Sequence, residues 1–62
     1  MKYSELHNLI RKNGWVFSYA KGSHYFYTRN EKLSPPIPFH GSKEIGEGLK
    51  SKLIKELGLN RF

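Results

Sequence analysis

Apolar residues return early in the chain at the spacing of a helix: Tyr3, Leu6, Leu9 and Ile10 share one stripe, and mostly polar residues fill the gaps. Ser4 can cap the first turn through its hydroxyl. Gly14 supplies the left-handed residue that stops a helix, with Arg11 and Lys12 near the negative end of the dipole. The period then changes. Trp15 to Ala20 and His24 to Thr28 are rich in aromatic and β-favouring residues and flank a short stretch holding Gly22, which predicts a β-hairpin. A loop of Lys21, Gly22 and Ser23 sets Tyr19 opposite Tyr25 and Phe17 opposite Tyr27. That register gathers Trp15, Phe17, Tyr19, Tyr25 and Tyr27 on a buried face and leaves Val16, Ser18, His24, Phe26 and Thr28 on the other. A tighter loop of Lys21 and Gly22 alone pairs Tyr19 with His24 and moves the histidine to the face of Trp15 and Phe17. The first register is preferred because it buries all those aromatics together.

Arg29 to Lys32 reads as a polar turn. Between Leu33 and His40, Pro35, Pro36 and Pro38 remove ladder donors, so a strand there is short and at an edge, around Ile37 to Phe39. Gly41 to Gly48 reads as a loop. A second helix runs from Gly48 to Leu57, with Leu49, Leu53, Ile54 and Leu57 on one stripe and Gly58 as its stop. The expected order is α-β-β-β-α, an α+β fold in which a three-stranded antiparallel sheet carries two helices on one face. The other face stays open to solvent, and a single domain spans residues 1–62.

Composition narrows the possibilities. A chain of 62 residues has room for one small core, and 37% hydrophobic residues with nine aromatics are too many for a disordered tail. Without cysteine there are no disulfides or thiolate metal sites. No apolar run suits a signal peptide or a membrane span, so a soluble, cytoplasmic chain is expected. Eleven Lys and Arg against five Glu give +6, and no acidic residue stands between Glu5 and Glu31. Such a surface favours a polyanion, with nucleic acid the leading partner class.

Three histidines are the side chains able to move protons near neutrality. His7 follows Leu6 in the first helix among polar neighbours and reads as a surface residue. His24 stands at the mouth of the hairpin after Gly22 and Ser23, where backbone with little side-chain bulk can approach a phosphate and Lys21 can hold it. His40 closes the proline-rich segment as a second active-site group or a plain loop residue. The sequence has no Asp, and Glu44 and Glu47 lack a neighbouring histidine, so no metal site is expected and the two carboxylates read as solvated groups before the second helix. A serine nucleophile at Ser23 lacks an acid to orient His24. Gly46 to Ser51 has the wrong spacing for a phosphate-binding P-loop.

Gly14-Trp15, Gly22-Ser23-His24, Pro38-Phe39-His40-Gly41 and a final helix from Leu49 to Leu57 ending in Gly58 together resemble the HicA-type messenger-RNA interferase toxins of bacterial toxin-antitoxin modules. The resemblance covers nearly the whole chain. It implies a fold similar to double-stranded RNA-binding domains, a catalytic histidine at His24, and a HicB-type antitoxin that covers the His24 face. Gly48 departs from the pattern, standing where a small polar residue usually opens the last helix.

The chemistry agrees with the resemblance. A 2'-hydroxyl can attack the adjacent phosphorus without any cofactor, provided one group moves a proton and cations stabilise the phosphoryl charge. His24 is the proton-transfer candidate. Lys21, Gly22, Ser23, Lys50 and Lys52 are candidate substrate contacts, the two helix lysines because a helix start also presents N–H groups to anions. Two other readings stand beside an endoribonuclease: a non-catalytic double-stranded RNA-binding domain, and a protein-docking module with Phe26 as its anchor.

Overall fold

A computed structural model describes residues 1–60; the last two positions of the expected 1–62 domain lie outside the described residues. Helix α1 (Tyr3–Lys12) leads into strands β1 (Val16–Lys21), β2 (His24–Arg29), β3 (Lys32–Leu33) and β4 (Ile37–Pro38), and helix α2 (Glu47–Leu57) closes the chain. The fold is α+β, with an antiparallel sheet and two helices, in keeping with the expected order.

Helix α1 begins one residue before the expected cap. Lys2, not Ser4, is the N-cap, and its backbone N–H donates to Glu5 Oε1 at 2.8 Å. The next free donors go to a neighbouring loop, Tyr3 N–H to the Lys43 carbonyl and Ser4 N–H to the Gly41 carbonyl, both at 3.0 Å. The loop therefore satisfies the first free donors of the helix without a serine side-chain cap. Helix α2 ends as expected, at Gly58 in the left-handed region with φ 62°.

Strand β2 is the centre of the sheet. It pairs with β1 on one side, and on the other with β3 at its C-terminal end and β4 at its N-terminal end. The third strand of the expected sheet is thus split. Pro35 and Pro36 cannot donate, and Ser34 bridges the gap: its N–H donates to the Tyr27 carbonyl at 2.7 Å and its hydroxyl accepts from Tyr27 N–H at 3.0 Å. The expected polar turn narrows to Asn30 and Glu31, both at positive φ, so that Lys32 pairs with Arg29.

Neither expected hairpin register runs the length of the hairpin, although the Phe17–Tyr27 pair of the preferred one is present. Gly22 and Ser23 alone form the turn, and Lys21 pairs with His24, Ala20 with Tyr25 and Tyr19 with Phe26. An irregularity between Phe17 and Tyr19 absorbs Ser18, after which Phe17 pairs with Tyr27 and Val16 with Thr28. The extra residue reverses the phase of β1 partway along its length. Tyr19 consequently leaves the aromatic face expected for it and joins Phe26 on the opposite one.

The helices meet the sheet through Leu6, Leu9 and Ile10 of α1, Leu53 and Leu57 of α2, and Tyr27 and Ile37 of the sheet, with Trp15, Ile45 and Leu59 closing the cluster. Fully burying an aliphatic or aromatic side chain of this size contributes roughly 1.5–3 kcal/mol. Trp15 also donates its indole N–H to the Leu57 carbonyl at 3.4 Å, fastening the hairpin entrance to the end of α2. The opposite sheet face, with Val16, Tyr19, His24 and Leu33, is exposed. No helix among the described residues is long and apolar enough to cross a membrane.

Candidate functional site at the hairpin turn

The turn joining β1 to β2 needs a glycine for its backbone. Gly22 has φ +61°, and a Cβ there would meet nothing within 4 Å, so conformation rather than space selects it. The same lack of bulk leaves the turn open to a large ligand. His24 begins the central strand and is held on both sides, by Lys21 across β1 and by Pro38 across β4. The next residue after Pro38 tightens the corner, because Phe39 N–H donates to the Ser23 carbonyl at 2.8 Å. The backbone of His24 is thereby fixed while its side chain is exposed and makes no hydrogen bond to the described residues. An imidazole in this state has both nitrogens available.

Lys21, Gly22, Ser23 and His24 thus sit together, with the Lys21 and His24 side chains on one face of the sheet as cross-strand partners. Lys50 and Lys52 belong to α2, and no hydrogen bond or ion pair among the described residues ties them to the turn. Lys50 lies within 3.1 Å of the Glu47 carboxylate and its side chain is only 12% exposed, so its charge is already answered. Lys52 is exposed. His40 is exposed too, packing edge-on against Tyr3 with centroids 4.9 Å apart. Two surface hollows, one beside Leu9 and Lys12 and one between Trp15 and the end of α2, are not lined by His24. The exposed sheet face suits a polymer that lies across it better than a small molecule that must be enclosed.

His7 corrects the surface reading given to it by sequence. It is 1% exposed and lies under the sheet, edge-on to Tyr25 and Phe39. Nε2–H donates to the Pro38 carbonyl at 2.9 Å, and Nδ1 accepts from the Tyr27 hydroxyl at 2.6 Å. The tautomer follows from the carbonyl, which can only accept. The Tyr27 oxygen in turn accepts from Arg11 Nη1 at 3.3 Å. Burial, and to a lesser extent the Arg11 charge, holds the His7 pKa below its usual value, against the opposing pull of the Pro38 bond. Burial raises that of Tyr27, partly offset by Arg11. The signal was present in the sequence, since Tyr3, His7 and Ile10 stand at i, i+4 and i+7 on the apolar stripe.

His7 therefore ties α1 to the strand that borders His24, while taking no part in the exposed surface. The chain matches the family described as the HicA toxin of bacterial toxin-antitoxin over residues 3–59. It is 46% identical over 59 residues to a probable mRNA interferase HicA of Pseudomonas fluorescens (strain Pf0-1), covering 95% of this chain and 97% of that protein. No solved structure matches it. A family match across both helices and the whole sheet, joined to a relative of nearly equal length, makes this chain a member of the HicA toxin family.

Proposed function

We propose that the chain is an endoribonuclease that cleaves messenger RNA without a metal and blocks translation, with His24 as its proton-transfer group. The observation that carries this reading is an exposed imidazole beside Lys21 at an open turn on a basic chain. The relative named a probable mRNA interferase supports the same activity. In this reaction the 2'-oxygen of a ribose attacks the adjacent phosphorus as it loses its proton. The 5'-oxygen of the next nucleotide departs and gains one, leaving a 2',3'-cyclic phosphate. Neutral His24 serves the first transfer and protonated His24 the second. Lys21 supplies positive charge where the phosphoryl oxygens gather it, and Gly22 and Ser23 let the RNA backbone come close.

The decisive experiment incubates RNA with pure protein in chelator, alongside His24→Ala. Cleavage by the parent and its loss in the variant support the assignment, and cleavage by both overturns it. The limb of the pH–rate profile that His24 controls then identifies it as base or acid. Tight duplex binding without scission would favour the non-catalytic double-stranded RNA-binding reading.

As a toxin of such a module, the chain requires a neutralising partner, for which we expect a HicB-type antitoxin covering the His24 face. Co-expression with the neighbouring gene's product should relieve growth arrest. Persistent arrest would remove the antitoxin inference.

A further inference from the structure

The face that carries His24 also holds an aromatic pair. Because Ser18 is absorbed between Phe17 and Tyr19, the Tyr19 ring lies opposite Phe26, and the two stack with centroids 4.5 Å apart and planes 11° from parallel. Simple alternation from Phe17, whose ring packs against Tyr25 and Tyr27, would have sent Tyr19 to the helix side. Irregularities of this kind re-aim side chains and gather near functional sites. Here the re-aimed ring is 46% exposed.

One same-face step nearer the turn, Lys21 stands opposite His24. The step is two residues along a strand, about 6.6 Å. Two flat rings therefore occupy one row, and a cation with an imidazole occupies the next. Strands β1 and β2 carry no carboxylate, since no acidic residue lies between Glu5 and Glu31. An occupant that offers a flat, weakly polar group and, one short link away, a negative charge fits both rows at once. A nucleotide has that form, with the base over the rings and its phosphate over Lys21 and His24.

We propose that Tyr19 and Phe26 form a base-stacking subsite for single-stranded RNA that seats the nucleotide next to the bond being cut. The inference rests on the reading of His24 as the catalytic group and adds the contact that positions substrate before it. Stacking tolerates every base but requires an unpaired one, so the subsite selects single strands over duplex.

The test uses the His24→Ala protein, so that RNA stays intact, and single-stranded RNA with 2-aminopurine placed at successive positions. Fluorescence should be quenched at one position, and a duplex of the same sequence should bind more weakly. Adding Tyr19→Ala should abolish the quench and weaken binding about 10- to 100-fold, whereas Tyr19→Phe should preserve both. In the active protein, Tyr19→Ala should raise KM for single-stranded RNA more than it lowers kcat. Circular dichroism melts check folding; should Tyr19→Ala unfold, Phe26→Leu, which keeps apolar volume and removes the ring, reads the same contrast.

Unchanged affinity and quench in the folded variants would overturn the proposal. Equal binding of duplex and single strand would do so too, as would a variant that loses antitoxin binding while cutting RNA normally, which would make the face a protein-docking surface. If no RNA is cleaved by the parent but the quench and its loss in Tyr19→Ala persist, the catalytic reading falls and the stacking subsite stands. If cleavage needs His24 but ignores Tyr19 and Phe26, the reverse holds.

Discussion

His7 and His24 meet the same short strand from different sides. Pro38 pairs with His24 in the sheet and gives its carbonyl to His7 beneath it. Yet one imidazole is buried with both nitrogens bonded, and the other is exposed with neither bonded to the described residues. A buried polar ring is tolerable only when its hydrogen bonds are made, and those bonds commit it to a single tautomer and position. An exposed ring keeps its nitrogens for a ligand. In this small domain the helix-covered face ties its polar groups into hydrogen bonds that hold the fold, while the open face leaves the His24 ring free for a ligand.

Substitution at each position should separate the two roles. The largest effect is expected from His24→Ala, which should lower RNA cleavage about 10²- to 10⁴-fold and leave stability within about 0.5 kcal/mol in a urea titration. A matching loss of stability would blur the distinction. His7→Ala should act the other way round. It strands the Tyr27 hydroxyl and the Pro38 carbonyl, and unsatisfied buried groups cost about 1–3 kcal/mol each. A destabilisation of about 2–4 kcal/mol is therefore expected, read from the shift in denaturant midpoint. In a domain of this size each kcal/mol moves the melting temperature by about 4–8 °C.

The same contrast has a pH signature. His7 titrates at the ordinary 6.5 when unfolded and lower when folded, because burial and Arg11 disfavour its charged form. Below about 6.5 the unfolded chain takes up a proton that the folded chain refuses, so stability falls as pH drops from neutrality through 6.5 toward the folded value. Tyr25, Tyr27 and Arg11 around the ring offer no carboxylate to reverse this sign. Melting temperatures from pH 7.5 to 5 should decline more steeply for the parent than for His7→Gln. Parallel declines would show that other groups control the acid response.

The smallest effect is expected at the turn. Gly22→Ala has room for its methyl group but must hold φ near +61°, at a cost of about 1–2 kcal/mol. Activity should fall only as far as the turn shifts Lys21 and His24, and a comparison of kcat/KM with the stability change would read that coupling.

The helices were legible from local pattern, since Leu6, Leu9 and Ile10, and then Leu53 and Leu57, recur at helical spacing and glycines follow both ends. His24 was legible as a candidate because glycine, serine and lysine cluster around it, and the structure sets its exposed ring across from Lys21. Its environment was less so. The face of Tyr19 depended on whether one residue, Ser18, would be absorbed by the strand, and a shift of one position exchanges inside for outside. The burial of His7 is hidden in the sequence because the polar residues beside it obscure its place at i+4 from Tyr3.

The sequence by itself determined the order of elements, the basic surface free of acid between Glu5 and Glu31, and the glycine that makes the hairpin turn, because periodicity, charge and backbone freedom are properties of neighbours along the chain. Only the tertiary structure decided that Tyr27 and Pro38 would close around His7, that Ser34 would span the break in the third strand, and that Tyr19 would stack on Phe26. Those outcomes depend on which groups, distant in sequence, arrive within hydrogen-bond or van der Waals reach once the strands have paired and the helices have covered one side of the sheet.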